Sequence, residues 1–281
     1  MTSHSSYWRR FVQDAGRLSP EEWLAKWGEG YTTAAWRTGP RRRDRVISWL
    51  NSILELVSTK PQHLWWWWTA EGRVVRRVLK SQGRRLNSSA LYHVHALRAV
   101  QRRRCGTAST ACVIGDGLGL LTASLLRSPE YRKVIVVNLE EMIPFDRLGL
   151  RRAGYEPDEL ESTGRLTILG HREAGRLASL AIDVYFNLSS FQEMSHSAIR
   201  DYFNLMRGRG SLLYCMNRLE KVLADEGPIR FFDYPWEGTT IIDQGSADWH
   251  WTALSATRPL VRHREPHRFV LTRFSGSNRG R

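Results

Sequence analysis

The chain has 281 residues, with 42% hydrophobic and 25% charged residues and a formal net charge of +14. That length and balance suit a globular protein with one sizeable core plus an accessory segment, and they exclude a disordered or collagen-like chain. Three cysteines at unrelated spacings exclude a disulfide scaffold and a zinc-binding pattern, and no run reaches the ~18 consecutive apolar residues of a membrane span.

The charge is uneven. Residues 1–110 hold 20 Lys and Arg against 7 Asp and Glu, whereas residues 111–281 hold 22 against 21. No apolar run follows the N-terminal charges, so no secretory signal is expected and the cytoplasm is the expected compartment. Ser19-Pro20-Glu21-Glu22 reads as a helix start, with Ser19 as N-cap, Pro20 at the first helical position and Glu22 closing a capping box. Val46, Trp49, Leu50, Ile53, Leu54 and Val57 follow helical spacing up to Lys60-Pro61.

Trp65-Trp66-Trp67-Trp68 comes next. Four consecutive indoles on a helix point in all directions, which fits a helix wedged between two layers or a surface for sugar stacking, lipid or a partner. Val74, Val75, Val78 and Leu79 continue an apolar face, opposed by Arg73, Arg76, Arg77, Lys80, Arg84 and Arg85. Such a charge run is either a solvated face or an anion-attracting surface. A further helix is expected over residues 90–100.

From residue 111 the pattern becomes α/β. Ala111-Cys112-Val113 leads into Ile114-Gly115-Asp116-Gly117-Leu118-Gly119-Leu120, and an apolar helix start follows. A strand, a glycine turn and a helix N-terminus form the layout of a nucleotide-type cofactor loop. Val134–Val137 suits a buried parallel strand with Asn138 at its end, where the cofactor's ribose is met in such folds. Strands are also expected over Leu166–Leu169, Leu180–Asn187, Leu212–Met216 and Arg268–Phe274, and a helix over Ser195–Met206 capped by Ser195. Residues 217–267 read as a long, turn-rich segment.

Asp183 to Met194 read D-V-Y-F-N-L-S-S-F-Q-E-M, and Leu213 to Arg218 and Phe232 to Trp236 carry Y-C-M-N-R and F-D-Y-P-W. With I-G-D-G-L-G ahead of them, these segments over residues 85–274 resemble a family of sugar O-methyltransferases from bacterial glycan and natural-product clusters. The resemblance implies a class I, Rossmann-like seven-stranded methyltransferase sheet that uses S-adenosylmethionine; the G-x-G-x-G spacing, too, favours this cofactor over NAD. Two positions depart from the family: Val113 replaces its glutamate before the glycine loop, and Asn138 replaces the acid expected to take both ribose hydroxyls.

The expected organisation is a basic, Trp-rich helical module over residues 1–105, the Rossmann-like domain over 106–275 and a disordered tail over 276–281. Gly115, Asp116, Gly117, Gly119, Asn138, Glu140, Asp183 and Asn187 are the expected cofactor contacts, with Glu141 an alternative to Glu140 and His171 facing the adenine. Asp183 has an equal claim to a structural role. Methyl transfer to a hydroxyl needs an acceptor oxygen held in line and relieved of its proton, and calls for no metal. Glu193 is the first candidate base and His196 the second; the alternatives are a carboxylate stabilised by a helix dipole and an exposed helix histidine.

Gln192, Asn217, Arg218, Tyr234 and Trp236 are the expected acceptor contacts. Tyr234 and Trp236, with Trp249, His250 and Trp251, form a lid, a carbohydrate wall or a packed loop. The expected partner is a sugar-containing acceptor that can carry negative charge, and a homo-oligomer is compatible with the sequence. No helix-turn-helix, zinc-finger or RNA-recognition signature points to nucleic acid. The competing reading is a non-catalytic or partner-dependent relative with a degenerate cofactor site.

Overall fold

The computed structural model describes residues 19–22, 61–84, 88–103, 109–247, 251–253, 261–263 and 266–276. Ser19 and Glu22 exchange both capping-box hydrogen bonds: Glu22 N donates to Ser19 Oγ and Ser19 N to Glu22 Oε2. The helix predicted over residues 46–57, together with Arg85, Cys105, Trp249 and His250, lies outside the described residues.

Seven strands form one sheet: β1 (Ser109–Ile114), β2 (Tyr131–Asn138), β3 (Leu166–Gly170), β4 (Val184–Leu188), β5 (Leu212–Arg218), β8 (Thr239–Ser246) and β11 (His267–Phe274). Their order is β3-β2-β1-β4-β5-β11-β8. The first five run parallel, and β11 is antiparallel to both of its neighbours. This is the Rossmann-like seven-stranded sheet expected from the sequence, with the chain reversing direction across the sheet between β1 and β4.

Alternate residues on each strand enter different cores. Ala111, Val113, Val134, Val136, Val184, Phe186, Leu212 and Tyr214 face one helical layer. Cys112, Ile114, Ile135, Val137, Tyr185, Leu213 and Cys215 face the other. That two-sided burial explains the continuous apolar runs of β1 and β2. The first layer contains helices α1 (Ala70–Ser81), α2 (Ser88–Gln101) and α3 (Leu120–Arg127). The other is built on α6 (His196–Met206), whose Ile199, Tyr202, Phe203 and Met206 are buried and whose N-cap Ser195 accepts from Ala198 N.

Residues 61–84 and 88–101 share one buried core with the sheet, and α2 packs directly on β4 and β5. His95 in α2 lies 2.6 Å from the buried Tyr214 hydroxyl in β5, which ties that layer to the centre of the sheet. Burial lowers the His95 pKa to about 4, so the ring meets Tyr214 neutral.

The indoles form a 3₁₀ turn, Trp65–Trp68, rather than a stretch of α-helix. Trp67 is 4% exposed, Trp66 packs against the same core and against His95, and Trp65 and Trp68 are 68% and 56% exposed and stacked on each other. The wedge expected from the sequence thus holds for two indoles only.

The segment expected to be loop between β5 and β11 instead contains a hairpin of β6 (Glu220–Leu223) and β7 (Gly227–Arg230), edge strand β8, and a ribbon of β9 (Trp251–Ala253) and β10 (Val261–His263). Two helices follow β2 that the sequence reading left out: α4 (Ile143–Arg152) and α5 (Pro157–Ser162). Among the described residues, no helix is long and apolar enough to cross a membrane.

Candidate functional site

The carboxyl ends of β1, β2, β4 and β5 lie along one edge of the sheet, and ligands of such sheets bind beyond that edge where the strand order reverses. Gly115, Gly117 and Gly119 all have left-handed backbones, with φ of 71°, 68° and 66°. Their surroundings differ. A Cβ on Gly115 would strike the Ser190 hydroxyl, one on Gly119 would press on the Asp146 carbonyl, and one on Gly117 would meet nothing within 4 Å. Gly117 therefore faces open space, while its two neighbours allow close packing inside the protein. Ser190 Oγ donates to Gly115 O at 2.8 Å and ties the loop after β4 to the glycine turn.

Asp116 is directed into the fold. Its carboxylate accepts from Leu121 N and Thr122 N at 2.9 and 2.7 Å and so caps α3. Both carboxylate oxygens are thus engaged by the first turn of the helix, a capping role that the expected cofactor role did not include. Burial pushes its pKa up, against the two amide bonds and the charge of Arg84.

Asn138, expected at the ribose, is also turned inward. Its Nδ2 donates to Asp146 Oδ2 at 2.7 Å and its Oδ1 accepts from Leu139 N. Asp146 lies on α4, is fully buried, and has a pKa well above the ordinary carboxylate range because of burial and the nearby Asp116 charge. No sequence signal pointed to Asp146, since its partners come from the ends of other elements.

The acids beyond β2 are better placed for a ligand. Glu140 accepts from Arg172 N and pairs with His171 beyond the end of β3. Glu141 Oε2 is a buried oxygen without a hydrogen-bond partner among the described residues. Such an oxygen needs a donor, and a ribose hydroxyl is one. Gly117 and Glu141, with Glu140 and His171 at the β3 side, are the groups along this edge that could hold a nucleotide-type cofactor.

Asp183 lies at the opposite end of the sheet. Its carboxylate accepts from Thr110 N and its own N–H donates to Thr110 O, so it fastens the start of β4 to the start of β1. That position excludes the cofactor role and leaves the structural one.

Asn187, Gln192 and Asn217 form one buried network. Asn187 Nδ2 donates to Ile114 O, and its Oδ1 accepts from Phe191 N and Asn217 Nδ2. Asn217 Oδ1 accepts from Gln192 N, and Gln192 Oε1 from Arg218 N at 2.7 Å. All three side chains are closed off from solvent. They were expected to touch cofactor or acceptor; instead they lock the ends of β1, β4 and β5 together and fix the loop that carries Glu193.

Glu193 Oε1 pairs with Lys221 Nζ at 2.7 Å, both side chains being largely buried. Burial raises the Glu193 pKa, while Lys221 and the charge of Arg218 oppose the rise. Lys221, on β6, was not foreseen because its hairpin was read as loop. His196 is exposed and lines a separate cavity of about 310 Å3 with Arg200, Asn204, Arg207 and Asp233.

Tyr234 borders the same cavity, but its ring is buried and packs edge-on against Phe191. Trp236 packs against Phe203 and donates from Nε1 to Phe231 O. These two aromatics form a packed cluster rather than an open carbohydrate wall.

No protein-family model and no curated protein sequence matches the chain. Among solved structures, it is similar to a "putative RNA methyltransferase" from Pyrococcus horikoshii, at 12% identity over 68% of this chain and 85% of that one, with a TM-score of 0.45. It is also similar to a Thermoplasma acidophilum protein, at 12% identity over 73% and 98% with a TM-score of 0.45. A third is a complex of the Haloferax volcanii Trm112 methyltransferase activator with a methyltransferase, at 14% identity over 73% and 96% with a TM-score of 0.44.

Proposed function

We propose that this protein is an S-adenosylmethionine-dependent O-methyltransferase acting on a hydroxyl of a sugar-containing acceptor. The observation that carries the reading is the glycine turn at the reversal point of the sheet, left-handed at Gly117 and open above it. The bound cofactor supplies a methyl group on a cationic sulfur. Gly117 admits it without a Cβ in the way, and Glu141 accepts from the ribose. Asn187, Asn217 and Gln192 hold Glu193 at the edge where β4 and β5 end, rigidly enough to place an acceptor oxygen. Lys221 engages Oε1 of Glu193 and leaves Oε2 to take the hydroxyl proton. The sugar specificity rests on the family resemblance of the sequence.

Calorimetry with S-adenosylhomocysteine tests the cofactor assignment: micromolar binding is expected, and none at millimolar ligand would overturn it. Transfer of a labelled methyl group to a glycan extract, with the label recovered on a sugar oxygen, tests the acceptor. One observation favours the competing non-catalytic reading. Asp116 and Asn138, both expected at the cofactor, are engaged inside the fold. Cofactor binding without transfer to any acceptor would support it.

A further inference from the structure

Helix α1 presents Arg73, Arg76, Arg77 and Lys80 at spacings of three, four and seven residues, which is one face of a helix. With Leu79 and Arg84 they line a cavity of about 510 Å3. That volume lies in the range of small-ligand sites. Among the described residues no carboxylate pairs with Arg73, Arg76, Arg77 or Lys80, and the Nε of Arg76 is buried without a hydrogen-bond partner. Five cations in one concavity repel each other, and a buried guanidinium nitrogen without an acceptor is costly. Both costs disappear when an anion with several oxygens enters.

One wall of the cavity is tied to the glycine turn by hydrogen bonds. Arg84 donates to Gln82 Oε1, and Gln82 Nε2 donates to Leu118 O in the glycine turn and to Gly149 O. At the other end Arg73 donates to Trp68 O, beside the exposed Trp65 and Trp68. Arg73 and Lys80 are seven residues apart on α1, which corresponds to roughly 10 Å along the helix.

We propose that this cavity binds the diphosphate of an activated sugar acceptor and so delivers the sugar toward the glycine turn. The proposal rests on the sugar methyltransferase reading. Arginine forks match the paired oxygens of phosphates, and three arginines of one helix face fit a diphosphate better than a single phosphate. A concavity of this volume accommodates a compact anion with several oxygens. The diphosphate could join the sugar to a nucleoside or to a lipid.

The test is calorimetry on the full chain with inorganic pyrophosphate, with uridine diphosphate, and with phosphatidylcholine vesicles carrying farnesyl diphosphate. Saturable pyrophosphate binding is expected, weakened by added salt and at least about tenfold by Arg76→Glu with Arg77→Glu. The milder Arg77→Ala, at an exposed position, should weaken it less and guards against misfolding of the double variant. Tighter binding of uridine diphosphate than pyrophosphate assigns a nucleoside carrier, and preference for the vesicles assigns a lipid carrier. Absent or non-saturable pyrophosphate binding, equal affinity in wild type and Arg77→Ala, or binding of a single-stranded oligonucleotide without pyrophosphate binding overturns the proposal. S-adenosylhomocysteine affinity is measured alongside. Its absence with pyrophosphate binding intact defeats the methyltransferase reading, whereas the reverse defeats only the diphosphate site.

Discussion

Asn138 and Asp146 join the end of β2 to helix α4 through one buried hydrogen bond, Nδ2 to Oδ2 at 2.7 Å. The family's acid at position 138 would set a carboxylate against a carboxylate here. Asn138→Asp is therefore expected to destabilise the fold by about 1–3 kcal/mol at neutral pH, the cost of a lost buried bond and an unsatisfied group. It should not tighten cofactor binding. Urea unfolding together with calorimetry checks this, and tighter S-adenosylhomocysteine binding in the variant would return Asn138 to the ribose.

Asp146 and Asp116 are both buried, and each has a raised pKa in the fold, chiefly through burial. A raised folded pKa means that the native state holds protons that the unfolded chain has released. The contribution to stability is complete below the unfolded aspartate value of about 3.9 and is lost as pH rises through the folded values. Asp146→Asn keeps an oxygen to accept from Asn138 and removes the charge. The variant should melt higher than wild type at pH 8, with the gap closing toward pH 4. A gap that widens on acidification would refute the assignment.

Gly117→Val places a β-branched residue at φ 68°, which costs roughly 1–2 kcal/mol in the left-handed region, but its Cβ meets no neighbour. The protein should fold and lose S-adenosylhomocysteine binding. Gly119→Ala, whose Cβ would lie 2.9 Å from the Asp146 carbonyl, should mainly lower stability. Wild-type cofactor affinity in Gly117→Val would remove this loop from the site.

Glu193→Gln retains shape and removes proton acceptance, so turnover should fall roughly 10²–10⁴-fold while cofactor affinity is unchanged. Lys221→Met should raise the Glu193 pKa, because it removes the charge that opposes burial. The acid limb of the pH–rate profile should then move to higher pH. An unmoved limb would take the proton from another group.

Trp67→Ala should cost about 3–5 kcal/mol, the usual range for an aromatic removed from a core. Trp65→Ala and Trp68→Ala, at exposed positions, should each change stability little. Chemical denaturation of the three variants gives the order, and equal losses would contradict the two-in, two-out arrangement.

The sheet was legible in the sequence because both faces of β1 and β2 are covered, which writes continuous apolar runs, and because a tight turn between strand and helix demands glycines such as Gly117. Ser195 and Ser19 announced their helices through caps, which are local. The directions of the polar side chains were not legible. Asn187, Gln192 and Asn217 lie in one motif-like pattern, yet whether such amides face a ligand or one another depends on neighbouring strands brought together by register. Asp183 shows the same limit at the other end of β4, where Thr110 arrives from β1. The cationic face of α1 was legible from its helical spacing; the Asn138–Asp146 bond and the Glu193–Lys221 pair were decided by tertiary structure alone. Each joins residues whose separation in the chain carries no period, and burial makes their pairing obligatory only once the layers have closed.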